Sequence, residues 1–423
     1  MLDIKFIKEN PDLIREAARK KHIDFDVSAL LALEEKRAAA QKEYEALRTE
    51  QNKLGDEIPK ATDATIRTKI IEDLKPIKEK VQAAEEEVKT ITKEWQLMML
   101  RVPNIPDMSV PEGADDSANV EVRVWGSKPE FAFTPKDHIE LLEQNGMADF
   151  EKGAEVAGFR GYFLKGDGAL LEFALHQFVV NHFTANKKDF EFMIVPALVR
   201  KQTLMGTGYL PGGEDDLYRT QDEDYLSGTA EVAMMSYFAD TVIDPATFPI
   251  KKLAFSPAFR REAGSHSKDT KGLFRVHEFR KFEQVILCEA NHETSVQLHE
   301  ELLANAEDIL QALGLHYHVV VNCGGDLGQG QVKKYDIEAW VPSQQTFRET
   351  HSCSYFHDFQ TRRLNIKYKD ADGKLRYAHS LNNTALAMPR ILQHLVENYQ
   401  DESGRIRVPD VLKPYIGKEY LGK

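Results

Sequence analysis

The sequence predicts an α+β protein: an antiparallel β-sheet domain flanked by helices, preceded by an antiparallel α-helical coiled-coil arm. Three observations point to that class. A heptad pattern runs through residues 28–99 with one break, a proline-rich aperiodic stretch follows at 101–119, and β-rich apolar runs then alternate with helical patterns. The expected domains are 1–100, containing a hairpin at about 28–99, a linker at 101–119, and a large sheet domain at 120–423.

Residues 1–26 read as a short helical lead-in, with Asn10-Pro11 as a helix-start signal. From Ser28 onward, Leu30, Arg37, Tyr44, Gln51 and Ile58 form one heptad row, and Leu33, Ala40, Leu47 and Leu54 form the second. Together they make an a/d seam. The seam breaks between Pro59 and Thr68, then resumes in Leu74, Val81, Val88 and Trp95, beside Ile70, Ile77, Ala84, Ile91 and Met98. Two such runs joined by a short polar break fold most simply as a helical hairpin, each helix about 30 residues or roughly 45 Å long. Pro76 is expected to kink or begin the second helix. Residues 28–99 hold 13 Lys/Arg against 15 Asp/Glu, so the pattern alone reads as an interaction or dimerisation coiled coil. Beyond the linker, strands are expected at Phe192–Val195, Lys281–Leu287 and His316–Val321, and helices at about 169–186, 292–313 and 384–399. Strands joined by hairpins favour an antiparallel sheet with helices packed on it.

Composition narrows the function classes. The 423 residues, 42% of them hydrophobic, suffice for more than one core. No apolar run reaches the length of about 18 that a membrane helix needs, so no membrane partner is expected. The N-terminal stretch mixes acids and bases from Asp3 and lacks a signal-peptide pattern, which predicts a cytoplasmic protein. Cys288, Cys323 and Cys353 lie far apart without a C-x-x-C pair, as suits a reducing compartment. A net charge of -13 argues against nonspecific coating of nucleic acid.

No phosphate-loop motif is present, and no G-x-G-x-x-G follows an expected strand. The glycines of 206–213 and 324–330 read as turns. His316 and His318 share a strand face without a third ligand at diagnostic spacing, so no zinc is expected. A strand, a polar loop and a second strand bring Arg260, Glu262, Arg275, Phe279 and Glu283 toward one site. Arginine grips phosphate or carboxylate bidentately, a carboxylate accepts from a purine amino group, and an aromatic ring offers a stacking face. The same residues would serve equally well as an ion-paired hairpin.

Several longer motifs add a resemblance. Phe259-Arg-Arg-Glu262, a loop, and Arg275-Val-His-Glu-Phe279 resemble motif 2 of class II aminoacyl-tRNA synthetases. Thr229-Ala230-Glu231, the block Glu349–Arg363, the motif 3 segment Ser380–Arg390 and the motif 1 segment Lys188–Pro196 resemble the seryl-tRNA synthetase family. The chain departs from that pattern at His351, Tyr355 and Thr384.

The resemblance implies ATP-dependent activation of L-serine to seryl-adenylate and its transfer to tRNA(Ser), with tRNA(Sec) as a second expected acceptor. It implies that Arg260 and Arg390 are catalytic, Arg260 holding the ATP α-phosphate and the serine carboxylate. Glu262 would accept from the adenine amino group with Phe279 stacked on the ring, and Arg261 and Val276 belong to the same ATP segment. Arg275 and Arg390 would grip the triphosphate. Glu349 and Ser352 would bind Mg²⁺ and phosphate oxygens, with Thr350 and His351 between them. Thr229, Ala230 and Glu231 would bind the serine amino end, and Glu283, Asn382 and Thr384 would line its side-chain end. The arm would contact the long variable arm of tRNA by shape, with Lys36, Lys42, Lys53, Lys60, Arg67 and Lys69 as candidates, and Pro196 would lie at a homodimer interface.

Overall fold

The computed structural model describes residues 2–185, 188–264 and 269–422. Part of the expected polar loop, 265–268, and the end of the expected helix 169–186 lie outside the described residues. One compact unit comprises Leu2–Arg19 and Ile23–Pro103; a second comprises Lys20–His22 and the chain from Asn104.

The first unit is a helical hairpin of α1 (Val27–Glu57) and α2 (Ala64–Arg101), preceded by short helices at Ile4–Glu9 and Pro11–Lys20. Asp26 and Asp63 cap the two long helices, their carboxylates accepting backbone N–H groups of the first turn. The heptad rows coincide with the less exposed positions, and Leu30, Leu74, Val81 and Ile91 are buried. The Arg37 guanidinium lies 4.6 Å from the centre of the Trp95 ring, so the start of α1 faces the end of α2 and the pair is antiparallel. Glu34 is buried in the seam because Lys8 (3.2 Å) and Arg37 (2.8 Å) neutralise it. Those two cations outweigh the effect of burial and hold its carboxyl below the usual range. Pro76 sits inside α2 rather than at its start.

The second unit is built on an eight-stranded sheet. Its strands are β1 (Val120–Trp125), β2 (Glu191–Ile194), β3 (Ile250–Phe259), β4 (Glu278–Cys288), β5 (Tyr317–Val321), β6 (Lys333–Val341), β7 (Thr346–His357) and β8 (His379–Ala387). They lie in the order β1-β5-β6-β7-β8-β4-β3-β2, antiparallel throughout except for β2 beside β3. The helices that position the site are α3 (Asp167–Ala185), α4 (Ala230–Ser236), α5 (His292–Ala312), α6 (Phe359–Arg363) and α7 (Met388–Asn398).

Side chains alternate across the sheet. Gln284 on β4 and Asn383 on β8 both donate to the Leu302 carbonyl of α5, so these positions face the helices. Their neighbours Glu283, Asn382 and Thr384 therefore point to the opposite face. Cys353 pairs with Asn383 across the strands, which puts Ser352 and Ser354 on that opposite face as well. The helix expected at 384–399 begins only at Met388. Residues 384–387 finish β8, because β4 offers them a pairing partner and Pro389 suits the first turn of a helix. The expected linker is fastened to the sheet unit: Asn104 donates to the carbonyls of Gly330 (2.9 Å) and Phe356 (2.8 Å), and Val110 is buried.

Candidate active site

The face of the sheet away from α5 carries a polar floor. β3 and β4 form a hairpin in register from Glu278 opposite Phe259, and the backbone N–H of Arg260 donates to the His277 carbonyl (3.0 Å). Alternation then sends Phe279, Lys281 and Glu283 to one side of β4, while Arg280 and Phe282 turn to α3. Small residues opposite them on β3, namely Ala254, Ser256 and Ala258, leave that floor open.

Lys281 and Glu283 are both buried and form an ion pair at 2.6 Å. Burial lowers the Lys281 ammonium from its ordinary range, against the pull of Glu283. The segment Thr229-Ala230-Glu231 opens α4: Thr229 is the N-cap, its hydroxyl accepting from the Glu231 N–H (3.4 Å). The Glu231 carboxylate accepts from the Tyr209 hydroxyl (2.9 Å) and the Gln360 amide (2.5 Å). Burial, aided by the nearby Glu283 charge, pushes its carboxyl up to about 6 despite those hydrogen bonds. Arg260 joins the two halves of the site. Its Nε donates to the Gly228 carbonyl (3.3 Å), and its guanidinium lies 5.4 Å from the centre of the Phe279 ring. A Cβ at Gly228 would come 3.3 Å from the Arg260 side chain, so glycine permits that approach.

A second cluster lies beyond the hairpin turn. Arg275 bonds Glu262 (2.9 Å) and Asp269 (3.1 Å), and Glu262 takes the left-handed conformation at φ 55°. Arg390, in the first turn of α7, pairs with the Glu349 carboxylate (3.2 Å) and donates to its backbone carbonyl (3.0 Å). A bulge at Thr350, where Ile337 and Glu338 oppose His351 and Glu349, turns Glu349 to the same side as Ser352. Partial burial raises the Glu349 carboxyl, but Arg390, Lys334 and Arg260 outweigh it and hold the group below its ordinary range. Glu349 remains 42% exposed, open to an incoming cation.

Arg260, Phe279, Glu349 and Arg390 thus gather on one polar face, Glu349 being within electrostatic reach of both arginines. Glu262 and Arg275 connect to them through Asp269, Arg348 and Phe274, while Thr229, Glu231, Glu283, Asn382 and Thr384 are buried. Ala230 and Val276 are buried beside them. Arg261 is exposed, its backbone N–H donating to the Asp216 carbonyl (3.0 Å). His351 does not join the site through its side chain. Its ring lies on the helix face, Nε2 donating to the Ala385 carbonyl (3.1 Å) and Nδ1 lying 2.8 Å from the Thr350 hydroxyl. Burial lowers it to about 4, so it is a neutral core histidine, and only its backbone is left to meet a nucleotide. Sequence reasoning missed Lys281, Tyr209 and Gln360. Gln360 lay inside the quoted 349–363 block and Tyr209 inside a glycine-rich stretch read only as turns, while nothing in the spacing tied either to Glu231.

Residues 1–106 match the Seryl-tRNA synthetase N-terminal domain, and residues 215–399 match the tRNA synthetase class II core domain (G, H, P, S and T). The serine–tRNA ligase of Deinococcus radiodurans is 47% identical, covering 100% of this chain and 99% of the relative. The fold is similar to that of the Pyrococcus horikoshii seryl-tRNA synthetase complexed with ATP, with a TM-score of 0.89 and 36% identity over 100% of this chain and 99% of that one. The cytoplasmic serine–tRNA ligase of Naegleria fowleri in complex with AMP gives 0.85 and 32%, over 100% of this chain and 99% of that one. With likeness of that degree along its full length, the chain belongs to the seryl-tRNA synthetase family, the class II serine–tRNA ligases.

Proposed function

We propose that this chain condenses L-serine with ATP to seryl-adenylate and pyrophosphate, then transfers the seryl group to the terminal ribose of tRNA(Ser), with tRNA(Sec) as a second acceptor. The observation that carries the reading is the buried acid pair Glu231 and Glu283 next to Arg260, at the closed end of an arginine-lined cleft. A small amino acid with an ammonium, a carboxylate and a hydroxyl finds a complementary group for each.

In the first step a serine carboxylate oxygen bonds to the α-phosphorus while the bond to the pyrophosphate oxygen breaks. Such an in-line displacement asks the protein for positioning and charge stabilisation rather than proton transfer. Arg260, anchored on Gly228 and over Phe279, would lie between the serine carboxylate and the α-phosphate, offsetting their repulsion. Arg275 and Arg390 would exchange their present carboxylate partners for phosphate oxygens. Phe279 would carry the adenine ring and Glu262 its amino group. Glu349 and Ser352 would hold Mg²⁺, whose preference for hard oxygen donors their carboxylate and hydroxyl satisfy, and the bound ion would neutralise phosphate charge.

Serine is too small to be selected by apolar contacts. Glu231 and Thr229 would take the ammonium, while Glu283, Asn382 and Thr384 would pair the hydroxyl. Alanine and glycine would leave buried groups unpaired, and threonine would be crowded out. The Glu283→Gln variant keeps the volume but loses the carboxylate. It is expected to lose serine-dependent pyrophosphate exchange while still binding ATP in a titration. Unchanged exchange would remove Glu283 from the pocket.

Two further parts belong to the same proposal. The 1–100 arm would hold the tRNA by its variable arm, and two chains would associate through the motif 1 face. There Leu170 (51% exposed), Phe173 (71%), Ile194 (75%) and Leu198 (53%) form an apolar surface beside Pro196. We assign the enzyme to the cytoplasm, where its three free, buried thiols stay reduced.

A further inference from the structure

The cleft holds more positive charge than the reaction scheme above has used. Arg348, the first residue of the Arg348-Glu349 pair on β7, donates from Nη2 to Asp269 Oδ2 at 2.7 Å. Arg275 Nε donates to that same oxygen at 3.1 Å. The Arg348 guanidinium also lies 3.7 Å from the centre of the Phe274 ring, and Arg390 lies 4.5 Å from it. One aromatic ring therefore gathers Arg348 and Arg390, and one carboxylate oxygen gathers Arg348 and Arg275. The three guanidinium groups converge on a single patch, and Arg348 is held there by Gln344 from behind (2.9 Å).

Each of these arginines has an internal counter-ion: Glu262 for Arg275, Glu349 for Arg390, and Asp269 for Arg348. On the reading proposed above, two of the three carboxylates have other work once ATP arrives, Glu262 with the adenine amino group and Glu349 with the cation. Asp269 has none. Its oxygen sits between two guanidinium groups, an arrangement in which two arginines could grip one phosphate oxygen at once. A carboxylate and a phosphate oxygen cannot both occupy it, because two anions in one arginine fork repel.

We propose that Arg348 is a further ATP-binding residue, one that Asp269 neutralises in the free protein and that takes an oxygen of the leaving pyrophosphate group when ATP binds. Asp269 then competes with the triphosphate. It limits affinity for ATP and pyrophosphate while keeping three arginines from repelling one another in the empty cleft.

This inference rests on the proposed function, and one set of assays separates their failures. ATP–pyrophosphate exchange with serine is measured for the wild type, Arg348→Gln, Asp269→Asn and the double variant, with KM for ATP and for serine read separately. Arg348→Gln is expected to raise KM for ATP by about tenfold, the loss of one charge-assisted contact, and to leave KM for serine unchanged. Asp269→Asn is expected to lower KM for ATP severalfold. The double variant is expected to keep the high value, since the missing grip is not restored by removing its competitor. If the double variant returned to the wild-type KM, or Asp269→Asn raised it, Arg348 would serve only to neutralise Asp269 and the inference would fall. An unchanged KM in Arg348→Gln would overturn it too. Should Arg348→Gln fail to fold, Arg348→Lys keeps the charge without the planar fork and must still raise KM for ATP; no rise would count against the inference. A wild type without serine-dependent exchange would instead overturn the proposed function itself.

Discussion

Glu231 is a buried carboxyl whose environment divides into opposing parts. Burial and the neighbouring Glu283 favour the neutral form, while Tyr209 and Gln360 donate to the charged one, and the outcome is a value near 6. On the proposed function Glu231 accepts the serine ammonium as a carboxylate, and so works only above that value. Serine kcat/KM in the exchange assay is expected to fall as pH drops through about 6, because the raised carboxyl takes up its proton there. Glu231→Gln should lower kcat/KM at neutral pH and abolish that acid limb; persistence of the limb in the variant would assign it to another group. At this scale the sequence was uneven. Arg260, Glu262 and Arg275 could be brought together by a strand, loop and strand pattern, whereas Glu349 and Arg390 joined them only through the family resemblance. His351 was expected among the ATP-binding residues, but a bulge at Thr350 reverses the alternation just before it and turns its ring into the core. Lys281 was hidden in a strand that read as apolar, although its partner Glu283 is only two residues away.

The elements were more legible than the contacts. The heptad rows of α1 and α2 matched the buried seam, because a 3.5-residue period leaves few alternatives to a helix pair. The end of β8 was misread as helix because its apolar residues run without a polar break into α7. The arm's charges are mixed and mostly exposed, so its sequence offers no preference between solvation and RNA binding. Function must decide. Deletion of residues 30–98 is expected to abolish aminoacylation of tRNA while leaving serine-dependent pyrophosphate exchange close to that of the intact chain. That division follows because every residue assigned to adenylate formation lies in the sheet unit. Normal charging by the shortened chain would make the arm structural.

For the whole molecule, exposed apolar side chains lie at Ile194 on β2, at the edge of the sheet, and at Phe173 on α3. A second copy would cover both the strand edge and the exposed rings. Sedimentation is expected to give a dimer for the intact chain and a monomer for Phe173→Glu combined with Ile194→Asp; a dimer in that variant would move the interface elsewhere. The distant matches between 229–231, 260–283, 349–363 and 380–390 joined into one cleft only through the strand order, which no local pattern encodes. On the proposed function, that cleft takes serine and ATP together. The most direct test is ATP–pyrophosphate exchange with each amino acid singly, followed by charging of total tRNA. Exchange with serine alone, and serine attached to tRNA, is the expected result. Exchange with serine but no charged tRNA would contradict the transfer step, and no exchange with any amino acid would contradict the assignment of this cleft to serine activation.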